Sequence, residues 1–207
     1  MIPLDEVYDF IATLMLFVAI WAQIGSYVIT KIQVIVIQTT LLAIYAFISG
    51  LHTVNYDLIL LAFLIIFIRG ILTAYILIKK FPVRRELIRE KSTTVPSIII
   101  VSIIVLIATL IIYRLTIFQF APSPITAIGF VIAIQGLLLI GTRKNKITQF
   151  TGYIEEENAM ILLSLGIFPL PLIVEISVLL DVLALVIVAA VLLTGDHTSE
   201  KMEELIG

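Results

Sequence analysis

TGYIEEENAMILLSLGIF, residues 151–168, has the apolar weight of a buried helix yet carries Glu155, Glu156 and Glu157 in succession, followed by Asn158. The rest of the chain sharpens the contrast. Of its 207 residues 61% are hydrophobic and only 14% charged, with a mean hydropathy of +1.19. A soluble domain is about half apolar and a quarter charged. The composition is that of an integral membrane protein, and it leaves almost no room for a soluble domain. Cysteine is absent and the only histidines are His52 and His197. These facts exclude thiol catalysis, disulfides and cysteine-ligated iron–sulfur clusters in this chain, and leave no multi-histidine metal or haem site. The start, MIPLDEVYDF, has no basic region before its apolar run, so no cleavable signal peptide is expected.

A helix needs about 20 apolar residues to cross the hydrocarbon. On that measure the chain reads as seven spans, 7–29, 32–50, 57–79, 96–115, 123–142, 147–168 and 172–194. Lys31 closes the first turn; GLHTVNYD (50–57), the charged segment 79–96, APSP (121–124), TRKNK (142–146) and PLP (169–171) supply the other breaks. Lysine and arginine then set the orientation. Alternate connections hold Lys31, then Lys79, Lys80, Arg84, Arg85, Arg89 and Lys91, then Arg143, Lys144 and Lys146, then Lys201; the opposite side holds only Arg114, and Arg69 lies within the third span. The expected fold is therefore all-α and polytopic, with the N-terminus outside and the C-terminus cytoplasmic. The basic loop 81–97 reads as a topology determinant that touches anionic lipid, and the short acidic tail as a partner contact or a disordered end.

Glu157 stands about 16 Å along its helix from Lys146, near the middle of a core about 30 Å thick. The seventh span adds Glu175 and Asp181, the third Arg69, the second Gln38 and the fifth Gln135. An ionised side chain at the bilayer centre costs about 2.5–3.5 kcal/mol on insertion scales. Five acids cannot all face lipid as anions, so some face protein or water. A buried carboxyl whose pKa is brought toward neutrality can take up and release a proton, the requirement for a relay. Successive residues of a helix are about 100° apart, so Glu155, Glu156 and Glu157 fan over about 200° and cannot share one neighbour. Arg69 reads equally as a structural ion-pair partner and as a functional counter-charge. Gln38 and Gln135 read as polar lining or interhelical hydrogen-bond partners.

Gly152-Tyr153, Glu157-Asn158, Val174-Glu175-Ile176 and Asp181 together resemble the pattern of component E of the hydrogenase-4 and formate hydrogenlyase complexes. The last three spans are also similar to the K subunit of respiratory complex I, which carries one glutamate in its second helix and one in its third. The resemblance implies two regions, a four-helix membrane region over 1–115 and a K-subunit-like region with a short cytoplasmic tail over 116–207. It implies a membrane-arm subunit of a group 4 membrane-bound nickel–iron hydrogenase in the cell membrane, with no catalytic or redox centre of its own. The nickel–iron site and the iron–sulfur clusters would lie in soluble partners, beside antiporter-like subunits and a membrane anchor similar to the complex I H subunit. Glu157, Glu175 and Asp181 would relay protons, with Glu156 and Glu155 as further relay candidates and Arg69 as counter-charge, coupling redox chemistry to H+ or Na+ translocation. The chain departs from the family in two places. Glu155 and Glu156 are extra acids, and Arg69 stands where lysine is common; arginine does not lose its proton in proteins. A complex I-like dehydrogenase, a multisubunit cation/proton antiporter and a purely structural membrane scaffold are the other classes these residues fit.

Overall fold

A computed structural model describes residues 3–25, 27–80, 95–143, 145–167 and 186, and among these the regular structure is helical throughout. α1 is Leu4–Ile24, α2 is Val28–Thr53 and α3 is Tyr56–Leu64. α3 continues without a break through a π-helical segment, Ile65–Leu72, into α4, Thr73–Lys80. α5 is Val95–Ile112, with a second π-helical segment at Tyr113–Ile117; α6 is Pro124–Thr142 and α7 is Lys146–Ile167.

Five of these stretches, Leu4–Ile24, Ile29–Thr53, Tyr56–Lys79, Ser97–Ile117 and Pro124–Thr142, are long and apolar enough to cross a membrane. They match the first five expected spans to within a few residues at each end. α7 matches the sixth in extent but not in character. It holds Lys146 and three glutamates, and its neighbours rather than its own apolarity keep it out of solvent. The expected seventh span, 172–194, with Glu175 and Asp181, lies outside the described residues, apart from Val186.

The bundle is polar inside and apolar outside. Phe17, Leu60, Phe63, Phe67, Ile104 and Ile111 are exposed, whereas Gln23, Lys31, Gln38, Arg69, Gln135, Glu155, Glu157 and Asn158 are buried. A water-soluble protein would bear large exposed apolar faces poorly. Lipid accepts them, and it forces polar side chains inward to find partners. The chain is a polytopic helical membrane protein.

Local chemistry explains the turns. Asp5 and Glu6 sit in the first turn of α1, where the helix dipole favours negative charge. α2 ends at Val54, whose φ of 53° lies in the left-handed region. Asn55 then starts α3 by accepting a 3.0 Å bond from the Asp57 N–H. The left-handed conformation is costly for a β-branched residue. Val54→Asn is therefore expected to stabilise the protein by about 1 kcal/mol, seen as a higher unfolding midpoint in detergent. Between α5 and α6 the Tyr113 hydroxyl meets the Ala121 carbonyl and lies 3.0 Å from that of Ser123, fixing the proline turn.

α7 packs most extensively on α6, and also along α2. Gly136 and Gly152 face each other at the α6–α7 crossing. A Cβ on either glycine would fall 2.6 Å from the other's carbonyl oxygen. Small residues at such a crossing let the two backbones touch, which supplies van der Waals contact where lipid offers no hydrophobic drive. α1 and α2 close over α6 and α7, forming a core of Met15, Leu42, Leu61, Ile65, Ile132 and Leu162.

Candidate functional site

The third helix brings Arg69 to the centre of the bundle within its π-helical segment. π turns are uncommon and are frequent at functional sites. The Thr73 hydroxyl donates to the Ile68 carbonyl, five residues back, at 3.0 Å. Arg69 is 1% exposed, the largest fully buried side chain described. Its Nη2 lies 3.3 Å from Oε2 of Glu157, and its Nη1 donates to Oδ1 of Asn158 at 3.1 Å. The Asn158 amide in turn donates toward Oε1 of Gln38 and the hydroxyl of Thr39, both at 3.3 Å. Three helices thus meet in one polar centre made of Gln38 and Thr39 from α2, Arg69, and Glu157 with Asn158 from α7. Tyr153, one turn before Glu157, has a buried hydroxyl that interacts with the Glu157 carboxylate.

The consecutive glutamates do part company, as helix geometry requires. Glu157 is 3% exposed and joins Arg69. Glu156 is half-buried, and its backbone lies against α6 at Gly136. Glu155 is 1% exposed and both its carboxylate oxygens lack a hydrogen bond among the described residues; Lys31 acts on it electrostatically. The three do not converge, and no group of three or more metal-ligating side chains forms among the described residues.

Gln135 belongs to a different assembly from Gln38. Its Nε2 donates to the Ser102 carbonyl at 2.9 Å and its Oε1 accepts from the Ser102 hydroxyl at 2.9 Å, tying α5 to α6. Its backbone carbonyl accepts from Gln23 of α1 at 2.8 Å. This is interhelical fastening away from the charged centre. Gln135→Leu is expected to cost about 1–3 kcal/mol in thermal unfolding, because Ser102 loses its partner in a buried place, while leaving ion movement unchanged.

Four participants were not singled out from sequence as site residues. Thr39 and Asn158 complete the centre. Lys31 and Arg143, taken there only as charges that set topology, are 1% and 4% exposed. Lys31 donates to the Ala22 carbonyl, and Arg143 to that of Gln23 at 2.6 Å. Both thus satisfy the carbonyls left open at the C-terminal end of α1. Lys31, Gln38 and Tyr45 recur every seven residues on α2, a spacing of about two turns that would have marked one inward face.

Fold and site together define a multi-helix membrane protein with a charge pair and its hydrogen-bonded partners held inside the bundle. No protein-family model, no curated protein and no solved structure matches the chain.

Proposed function

We propose that this chain is a membrane-arm subunit of a group 4 membrane-bound nickel–iron hydrogenase of the formate hydrogenlyase type, and that it relays protons between redox-linked and antiporter-like neighbours. In this reading it crosses the cell membrane seven times, with the N-terminus outside and the C-terminus cytoplasmic. It holds no cofactor; nickel–iron and iron–sulfur chemistry belong to partner subunits. Glu157 is the central proton carrier, Glu175 and Asp181 continue the relay in the seventh span, and Arg69 is the fixed counter-charge.

The observation that carries this reading is the Arg69–Glu157 pair at 3.3 Å, wired through Asn158 to Gln38 and Thr39 inside an apolar bundle. Charged groups at membrane depth that face a bundle interior and pair with one another mark ion and proton pathways. An arginine beside the carboxylate lowers the cost of its ionised form without competing for the proton. The carboxyl can then alternate between the two states in place. The resemblance of the Glu157-Asn158 and Val174-Glu175-Ile176 motifs to that family supports this reading.

The test is mass spectrometry of the proteins that co-purify with the tagged full chain in mild detergent. Nickel–iron hydrogenase, iron–sulfur and antiporter-like chains are the expected partners. Antiporter-like subunits alone, or quinone- or NADH-linked partners, would replace the hydrogenase assignment with an antiporter or a complex I-like enzyme. Recovery of the chain alone would overturn the subunit reading.

A further inference from the structure

One face of α7 changes chemical character at Glu155. Counting back along that face at helical spacing come Thr151 and Thr148, both buried. Counting forward come Ala159 and Leu162, both fully buried in the apolar core with Met15, Leu42 and Ile132. Polar groups therefore lead from one end of the bundle as far as Glu155, and beyond it this line of the helix packs into the apolar core, with the buried Asn158 to one side and held in the charged centre. The polar end is the one where α1 meets α2 and α6 meets α7. Lys31 is held there on the Ala22 carbonyl, Arg143 on that of Gln23, and Gln149 donates to the Arg143 carbonyl at 2.7 Å. At the head of this stripe sits a carboxylate that is 1% exposed and makes no hydrogen bond among the described residues.

We infer that Glu155 is a second proton-binding site, distinct from Glu157, reached by water along Thr148 and Thr151 from the end of the bundle that carries Lys31 and Arg143, and sealed from the opposite end by Ala159 and Leu162. The inference rests on the reading that the buried acids of this chain exchange protons. The balance is simple. Glu155 takes a proton from water at the basic end and becomes neutral, while the Lys31 ammonium stays on the carbonyl end of α1, where the helix dipole favours a cation. When the proton returns to that same water, the carboxylate is again in the field of that ammonium. Lys31 is a cation that acts electrostatically on Glu155. Its neighbour Glu157 is engaged with Arg69, a position about 200° away around the helix. Lys31 acts as a positioning residue, since it sets the charge that Glu155 faces.

Because the chain contains no cysteine, single cysteines can be read directly with a charged, membrane-impermeant thiol reagent. The experiment uses the full chain in its own membrane, in vesicles of either orientation, with T142C at the exposed end of α6 marking the basic side. T148C, T151C and E155C are expected to react from that side at least an order of magnitude faster than A159C and L162C, and none of the five from the other side. Failure of T148C and T151C to react from either side would overturn the inference, as would labelling of A159C or L162C at the same rate. The threonine positions keep the test valid should E155C fail to fold. Labelling in the expected pattern, together with proton movement indifferent to Glu157→Gln, would preserve the access route and remove the relay reading instead.

Discussion

Arg69→Met is expected to destabilise the protein by about 3–5 kcal/mol, and adding Glu157→Met to the same chain is expected to recover most of that loss. The single change takes the Arg69 guanidinium away from a carboxylate that is 3% exposed. Burying an unpaired charge costs far more than a buried pair contributes, which is why the double variant outperforms the single one. Recovery should fall short by about 1–3 kcal/mol, because Asn158 Oδ1 loses the donor that Arg69 supplied while its amide keeps Gln38 and Thr39. Unfolding midpoints in detergent measure all three states. The same pair of variants separates scaffold from relay. A purely structural ion pair predicts that the stable double variant still supports ion movement. A proton-carrying Glu157 predicts a folded, assembled and inactive subunit.

Gly152→Ala should have the next largest effect, a loss of about 2–3 kcal/mol. The added methyl would lie 2.6 Å from the Gly136 carbonyl oxygen and 2.8 Å from Leu139 Cβ. The first obstacle is backbone and cannot swing aside, so α6 and α7 must move apart. That movement carries Glu157 and Asn158, five and six residues further along α7, away from Arg69 and Gln38. Gly141→Ala on the same α6 is the control. Nothing lies within 4 Å of its added methyl, and replacing a helical glycine by alanine should be neutral or stabilising by up to about 1 kcal/mol. Equal losses at both positions, measured by thermal unfolding, would contradict the crossing.

How far the amino-acid sequence foretold this arrangement varies with the kind of interaction. Spans one to five were legible because each break carries its own chemistry, such as the Pro-Ser-Pro turn at 122–124 or the polar stretch around Asn55. The sixth helix was legible in extent from the charged hairpin before it and the Pro-Leu-Pro after it, although the burial of Glu155 and of Glu157, on different sides of the helix, came from packing against its neighbours. The fanning of the three glutamates followed from helix geometry alone. The partner of Arg69 did not, because nothing in a one-dimensional chain says that residue 69 meets residue 157. The π-helical segment was also hidden, since IIFIRGIL has the apolar content of an ordinary helix. Gln38 and Gln135 looked alike as isolated amides, yet one faces the charged centre and the other fastens α5 to α6. The burial of Lys31 was hidden for a clearer reason. A lysine at a helix start normally marks the membrane surface, but here its long stem carries the ammonium inward to the end of α1.

The most direct test of the account is proton translocation by inverted membrane vesicles holding the assembled complex with either the wild-type chain or Glu157→Gln. The amide nearly preserves shape and can still hydrogen-bond, but it cannot carry a proton. The account predicts that the variant assembles with its full set of partners and that redox-driven proton uptake is lost. Unchanged proton uptake in the assembled Glu157→Gln complex would contradict it and leave the Arg69–Glu157 pair a structural fastening.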